Sequence, residues 1–379
     1  MENKIIFKNI SYGKAEENLR WILTENGVLF ISGSGRMIDY EEILSPWDDY
    51  KYEIKQIYIE SDVENVGDSV FNNCRSLESA ILSEGVFEIE TAAFNKCENM
   101  KEIQLPETLK YIGNSAFSYC SSLKNPKLPD SVVSIGANAF CGCSSIEEIT
   151  VPEKIEKINM QTFVGCSNLK NVALPDNLKE IATGAFSGCS CLTEIRIPEK
   201  VFEIGPYAFY CCSKLSEINF PAALKTIRNS TFKHCISLEN IYIPSRVRII
   251  EKSAFEGCVN LKKAEIEDGL ISIENSAFKF CRSLNEIIFP ESLIKIENWA
   301  FAGCHSLKVL DFPESLTYIG KYAFGKCSDL EKIIFRGDVP EVQGQVFSAA
   351  AEAYYPSDNP AWTPEARAKF GNKITWTAY

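Results

Sequence analysis

Histidine is almost missing from this chain: His234 and His305 are the only two in 379 residues. Neither stands with histidine, cysteine or carboxylate at metal-ligand spacing, so a metal centre of the usual kind is not expected. Positive charge is also short, with 39 Lys and Arg against 51 Asp and Glu and a formal net charge of −12. That balance argues against nucleic acid or an anionic membrane as partner, since both require basic patches. No apolar run approaches the length of a membrane span. The opening Met1-Glu2-Asn3-Lys4-Ile5-Ile6-Phe7 has no apolar core of signal-peptide length, which reads as a cytoplasmic chain or as the mature form of a longer precursor. Ser32-Gly33-Ser34-Gly35 matches neither a phosphate loop nor a nucleophile elbow. Enzyme activity is therefore not expected.

What the chain has is a period. Phenylalanine recurs every 23 residues from Phe71 through Phe94, Phe117, Phe140 and onward to Phe324 and Phe347. A fixed period of this length marks a stacked repeat. Counting each phenylalanine as zero, position −1 is usually Ala, +6 Leu, +9 Ile or Val, +11 aliphatic or Phe, +12 usually Pro, and +18 Ile or Val. Alternation of buried and variable residues from +6 to +11, as in Asn171-Val172-Ala173-Leu174, predicts a short strand with one buried face. Proline at +12 ends it, because it offers no ladder N–H. A second short extended piece is expected at +15 to +18, and a tight helical or 3₁₀ piece over Ala-Phe-x-x-Cys.

Cysteine is abundant, at fifteen residues, and position decides its meaning. Twelve cysteines, from Cys74 to Cys327, stand three residues after a repeat phenylalanine. Free cysteine packs as a small buried hydrophobe, and parallel side chains roughly 5 Å apart on stacked strands make poor disulfide geometry. Cys141, Cys191 and Cys211 fall outside that column. Cys141-Gly142-Cys143, Cys211-Cys212 and His234-Cys235 each contain one column residue, which favours packing over redox or metal chemistry.

The period divides the chain into a β-rich amino-terminal cap (1–53), a solenoid of about twelve turns (54–347) and an irregular carboxyl-terminal cap (348–379). Ile54, Ile57, Ile59, Val63 and Val66 fill the slots of an incomplete first turn. The unit Leu169-x-x-Val172-x-Leu174-Pro175-x-x-Leu178-x-x-Ile181-x-x-x-Ala185-Phe186-x-x-Cys189 resembles the BspA-like class of bacterial leucine-rich repeats. The segments Trp21–Gly35 with Ser45-Pro46-Trp47, and Tyr354-Tyr355-Pro356 through Trp362 to Trp376, are similar to the flanks of that family. The resemblance implies a right-handed leucine-rich-repeat solenoid without shared catalytic residues. It also implies a surface or secreted protein of a host-associated bacterium that adheres to host matrix proteins.

Repeated residues make the scaffold, so function is sought among outward ones. On the strands these are mostly polar toward the amino terminus and include Tyr242, Ile288, Val309 and Ile334 farther on. The last three lie on consecutive strands and are expected to be neighbours, forming an apolar contact surface for a protein partner. Trp299 and Tyr322, both at −2, and Tyr207 form a second candidate that would stack on sugar rings. The acids that usually follow the prolines read as turn chemistry rather than a cation site. No cofactor is expected.

Overall fold

The computed structural model describes residues 9–14, 18–38 and 44–379; the opening Met1–Phe7 lies outside the described residues. Two compact units, Met1–Leu178 and Lys179–Tyr379, divide the chain. Both are β-solenoids in which successive coils pair in parallel, with a pairing step equal to the phenylalanine period except at the ends, where Val28 pairs with Gln56 and Lys332 with Glu352.

In the first unit, strands β1 (Asn9–Lys14), β2 (Leu19–Thr24) and β3 (Val28–Gly33) form an antiparallel meander. The third strand then pairs in parallel with Gln56–Ile59, which pairs with Ser79–Leu82 and that with Glu102–Gln104. A second parallel sheet runs through Asn65–Val66, Glu88–Ile89, Tyr111–Ile112 and Ser134–Ile135. The longer strand sheet stops after Glu102–Gln104 because the next coil carries Pro126 where isoleucine usually stands. Asn125 takes over, its side-chain oxygen accepting the N–H groups of Glu147 at 2.9 Å and Glu148 at 3.2 Å.

In the second unit six two-residue strands, from Thr226–Ile227 to Glu341–Val342, form one sheet. The strand face carries Asn240–Ile243, Lys263–Ile266 and Glu286–Ile287, then Val309–Phe312 and Lys332–Phe335. The segment expected to be irregular beyond Phe347 adds Ala351–Tyr355 and Ile374–Ala378 to that parallel series. Their register sets Ala351 opposite Ile374, which is again one full period. Phe370, one period after Phe347, is fully buried and accepts the Phe347 N–H on its carbonyl at 2.9 Å.

The repeat phenylalanines form stacked columns. In the first unit rings from Phe71 to Phe163 stand 5.3–5.6 Å apart, and in the second those from Phe186 to Phe347 stand 5.1–5.5 Å apart. Trp47 heads the first column, stacked 5.5 Å from Phe71 with its ring nearly parallel. Each buried ring contributes ~2–3 kcal/mol through area removed from water, with a further ~1 kcal/mol for favourable ring contact.

The Ala-Phe-x-x-Cys segment is not helical. N–H groups alternate between the next coil and their own: Ser69, Phe71 and Asn73 donate to Thr91, Ala93 and Asn95, whereas Asn72 and Cys74 donate back to Ser69 and Phe71. Facing every other N–H along the stack places the residues at −2 and +2 in the left-handed region, as in Ser69 (φ 56°) and Asn73 (φ 65°). The same pair recurs coil after coil, which is why Ser, Asn and Gly are frequent there.

The cysteine column has a bonding role as well as a packing one. Along it a thiol donates to the carbonyl of the phenylalanine one coil earlier, as Cys97 does to Phe71 at 3.2 Å and Cys258 to Phe232 at 3.1 Å. All fifteen cysteines are free, and the twelve column members are buried. Burial pushes the thiols of column members such as Cys143 and Cys258 far above the usual range, and that of Cys327 to about 12. Reactive thiolate is thereby suppressed at neutral pH.

Candidate functional site

The outward strand positions are +8 and +10 of each coil. Tyr242 is half exposed and lines a groove of about 410 Å³ together with Ser216, Glu217, Asn240, Lys263 and Glu265. Its hydroxyl donates to the Glu267 carboxylate, which also accepts the Ser245 N–H at 2.8 Å. The phenol bond holds the Glu267 carboxyl below its ordinary range and pushes the Tyr242 phenol up. Lys263 is clamped by Glu265 at 2.6 Å and Glu286 at 2.9 Å, and these bonds raise its ammonium.

Ile288, Val309 and Ile334 do lie on consecutive coils, but the register sets them in a zigzag rather than a row. Val309 stands opposite Lys332, and Ile334 opposite Asp311 on one side and Tyr354 on the other. By the same step Ile288 matches Asp311, so each apolar side chain meets the next diagonally, at roughly 7–8 Å. Charged neighbours fill the alternate squares. Arg336 binds Asp311 (Nε to Oδ1, 2.8 Å) and Glu291 at 2.9 Å, and the Asp311 bond raises its guanidinium. Ile288 is 61% exposed and Val309 48%, whereas Ile334 is only half-buried surface between its neighbours. The site is therefore an apolar checkerboard, not a continuous patch.

The aromatic candidates occupy the left-handed −2 slot: Tyr207 (φ 58°), Trp299 (φ 61°) and Tyr322 (φ 53°). Such φ values in bulky residues cost ~1–2 kcal/mol each, and other coils place Ser or Asn there. Trp299 and Tyr322 meet with ring centroids 4.8 Å apart. Tyr207 does not join them. Ser230, Ser253 and Ser276 take the intervening slots, and Tyr207 packs instead with Tyr210 at 6.1 Å, which in turn meets His234 at 6.0 Å.

Phe280 escapes the sequence reading. It occupies the +2 slot (φ 62°) with its ring laid over Gly303, where a Cβ would come within 2.6 Å of it. Tyr119 over Gly142 and His234 over Gly257 repeat this pairing. An aromatic at +2 followed by glycine in the same slot of the next coil is the signal that could have found them. In the first unit the interruption at Pro126 leaves a groove of about 520 Å³ lined by Asn125, Lys127, Glu148, Thr150 and Asn171; its signal was proline at +9.

Of the off-column cysteines, Cys141, Cys191 and Cys211 are all half-buried, and Cys191 accepts from the Lys214 ammonium at 3.6 Å. His305 lies 3.4 Å from the Ser328 hydroxyl. Among the described residues no group of three His, Cys, Asp or Glu could hold a metal ion, and no helix is long and apolar enough to cross a membrane.

None of the curated proteins matches the chain. A leucine-rich repeat protein from Bacteroides ovatus has a similar structure, with a TM-score of 0.68 and 25% identity over 99% of this chain and all of that one. A leucine rich cell surface protein from Faecalibacterium prausnitzii aligns with a TM-score of 0.50 and 24% identity over 95% of this chain and 97% of that one. The family model for the BspA type leucine rich repeat region matches residues 49–170, 133–262 and 248–353. With most of its length matched and the repeat geometry in place, the chain belongs to the BspA-type leucine-rich repeat proteins.

Proposed function

We propose that this chain is a non-enzymatic binding protein whose strand face docks a protein partner in an adhesion role, at the bacterial surface or after secretion. Leucine-rich repeat domains in general serve protein–protein contact. The observation that carries the reading here is the exposed checkerboard of Ile288 and Val309, with half-buried Ile334 on the next coil. A stacked sheet holds these side chains at fixed intervals, so little ordering entropy opposes binding. Residues 1–53 and 348–379 serve as caps that keep the sheet ends from pairing with other chains. A host extracellular-matrix protein is the partner class we assign, and the reading requires no cofactor or metal.

Binding to immobilised matrix proteins tests this. The Ile288→Asp/Val309→Asp double variant should lose at least about tenfold in affinity, as expected when central apolar anchors are replaced by charge, with its melting temperature unchanged. Undiminished binding by the double variant would remove the strand-face assignment.

A further inference from the structure

A different face of the second unit carries the residues that the strand-face reading leaves unused. Across three consecutive coils the −3 to +2 flank reads Asn275-Ser276-Ala277-Phe278-Lys279-Phe280, Asn298-Trp299-Ala300-Phe301-Ala302-Gly303 and Lys321-Tyr322-Ala323-Phe324-Gly325-Lys326. It contains no carboxylate, in a chain of net charge −12. Removing the buried alanines and phenylalanines leaves the rings of Phe280, Trp299 and Tyr322 and the lysines Lys279, Lys321 and Lys326.

The lysines are uncommitted. Elsewhere lysines one coil from a glutamate pair with it, as Lys262 does with Glu239 at 2.9 Å and Lys101 with Glu78 at 2.8 Å. Among the described residues Lys279, Lys321 and Lys326 have no ion-pair partner. Glu256 in the preceding coil feels the Lys279 charge but is bonded to Lys233, at 2.8 Å. The Lys279 ammonium instead hangs 5.0 Å from the Phe280 ring centroid and 5.7 Å from that of Trp299, and the Lys321 ammonium 5.3 Å from Tyr322. Ring faces with free ammoniums between them suit a ligand that offers C–H faces and anionic groups together.

We propose that this flank binds an acidic polysaccharide, whose sugar rings stack on Trp299, Tyr322 and Phe280 while its carboxylates or sulfates meet Lys279, Lys321 and Lys326. Nucleic acid fits less well, because it carries a phosphate at every nucleotide and only three cations are spread over three coils. The net negative charge of the chain does not prevent the contact, since at physiological salt screening confines the field to about 8 Å and the local lysines dominate.

The −2 slot itself supplies the variants. Asn138 and Ser115 occupy it in other coils at φ 58° and 54°, so Trp299→Asn/Tyr322→Ser should fold, as a thermal melt will show. Affinity electrophoresis of the full chain would use polygalacturonate and chondroitin sulfate as probes, with dextran, phosphatidylglycerol vesicles and a single-stranded oligonucleotide for comparison. Retardation by an acidic glycan is expected, weakened at least tenfold both in that variant and in Lys279→Gln/Lys321→Gln/Lys326→Gln. The proposal is overturned by binding to dextran, vesicles or oligonucleotide alone, by no binding to either acidic glycan, or by acidic-glycan binding that both variants retain. The Ile288→Asp/Val309→Asp variant should keep this binding, which separates the two faces.

Discussion

Phe255→Ala is expected to cost about 3–5 kcal/mol and to broaden or split the unfolding transition of the protein. Phe255 is fully buried and lies in the middle of the second unit's column, 5.4 Å from Phe232 and 5.2 Å from Phe278. Phe220 meets it edge-on at 6.4 Å. Truncation leaves a void that the neighbouring coils cannot close, because each is held by hydrogen bonds from Phe232 N–H to Ala254 and from Phe255 N–H to Ala277. In a solenoid, stability is a sum of nearest-neighbour interfaces, and this change weakens two at once. Denaturant unfolding followed by far-ultraviolet circular dichroism reads the effect. A loss below about 1 kcal/mol would mean that the column is not the main source of cohesion.

Gly269→Ala should be nearly as damaging, at about 2–4 kcal/mol, for a backbone reason. Gly269 has φ 138°, and a Cβ there would sit 2.0 Å from the carbonyl oxygen of Ser245. Most coils turn this corner with proline at +12. This one has Glu267 there and needs glycine two residues later, where Ser292 of the next coil accepts the Gly269 N–H at 2.7 Å. Gly344→Ala is the matched control, since it has φ 111° but its Cβ would find its nearest neighbour only at 4.0 Å. The difference between the two melting temperatures isolates the clash from the strain. Equal losses would show that strain alone acts.

The columns were legible in the sequence because a stacked interior admits only one kind of side chain at each slot. Phenylalanine and cysteine therefore repeat, and the period reports the coil length directly. Features that depend on a local substitute were harder to read. Trp47 enters the phenylalanine column one residue out of phase, so counting by the period passes over it. Phe370 is in phase, yet it stands alone once the cysteine, proline and leucine slots have lapsed. The strands Ala351–Tyr355 and Ile374–Ala378 carry no repeat signature for the same reason.

The compact Ala-Phe-x-x-Cys segment resembled a helical turn, but every other N–H goes to the next coil instead of staying within the segment. That outcome appears only when the coils are stacked. Ile288, Val309 and Ile334 fall on successive coils, as the period requires. Their mutual arrangement was not readable from apolarity alone, because register sets Val309 against Lys332 and Asp311 against Ile334. Tyr207 shares a slot with Trp299 without sharing a site, since three coils lie between them.

The whole structure depends on one register, in which twelve cysteines are interior and only Cys141, Cys191 and Cys211 approach the surface. Counting reactive thiols tests it most directly, with an aromatic disulfide reagent at neutral pH and mass mapping of the modified positions. The native protein should yield those three alone. The other twelve should react only after denaturation, giving fifteen in total without added reductant. Rapid modification of column cysteines in the folded protein, or fewer than fifteen thiols after unfolding, would contradict the account.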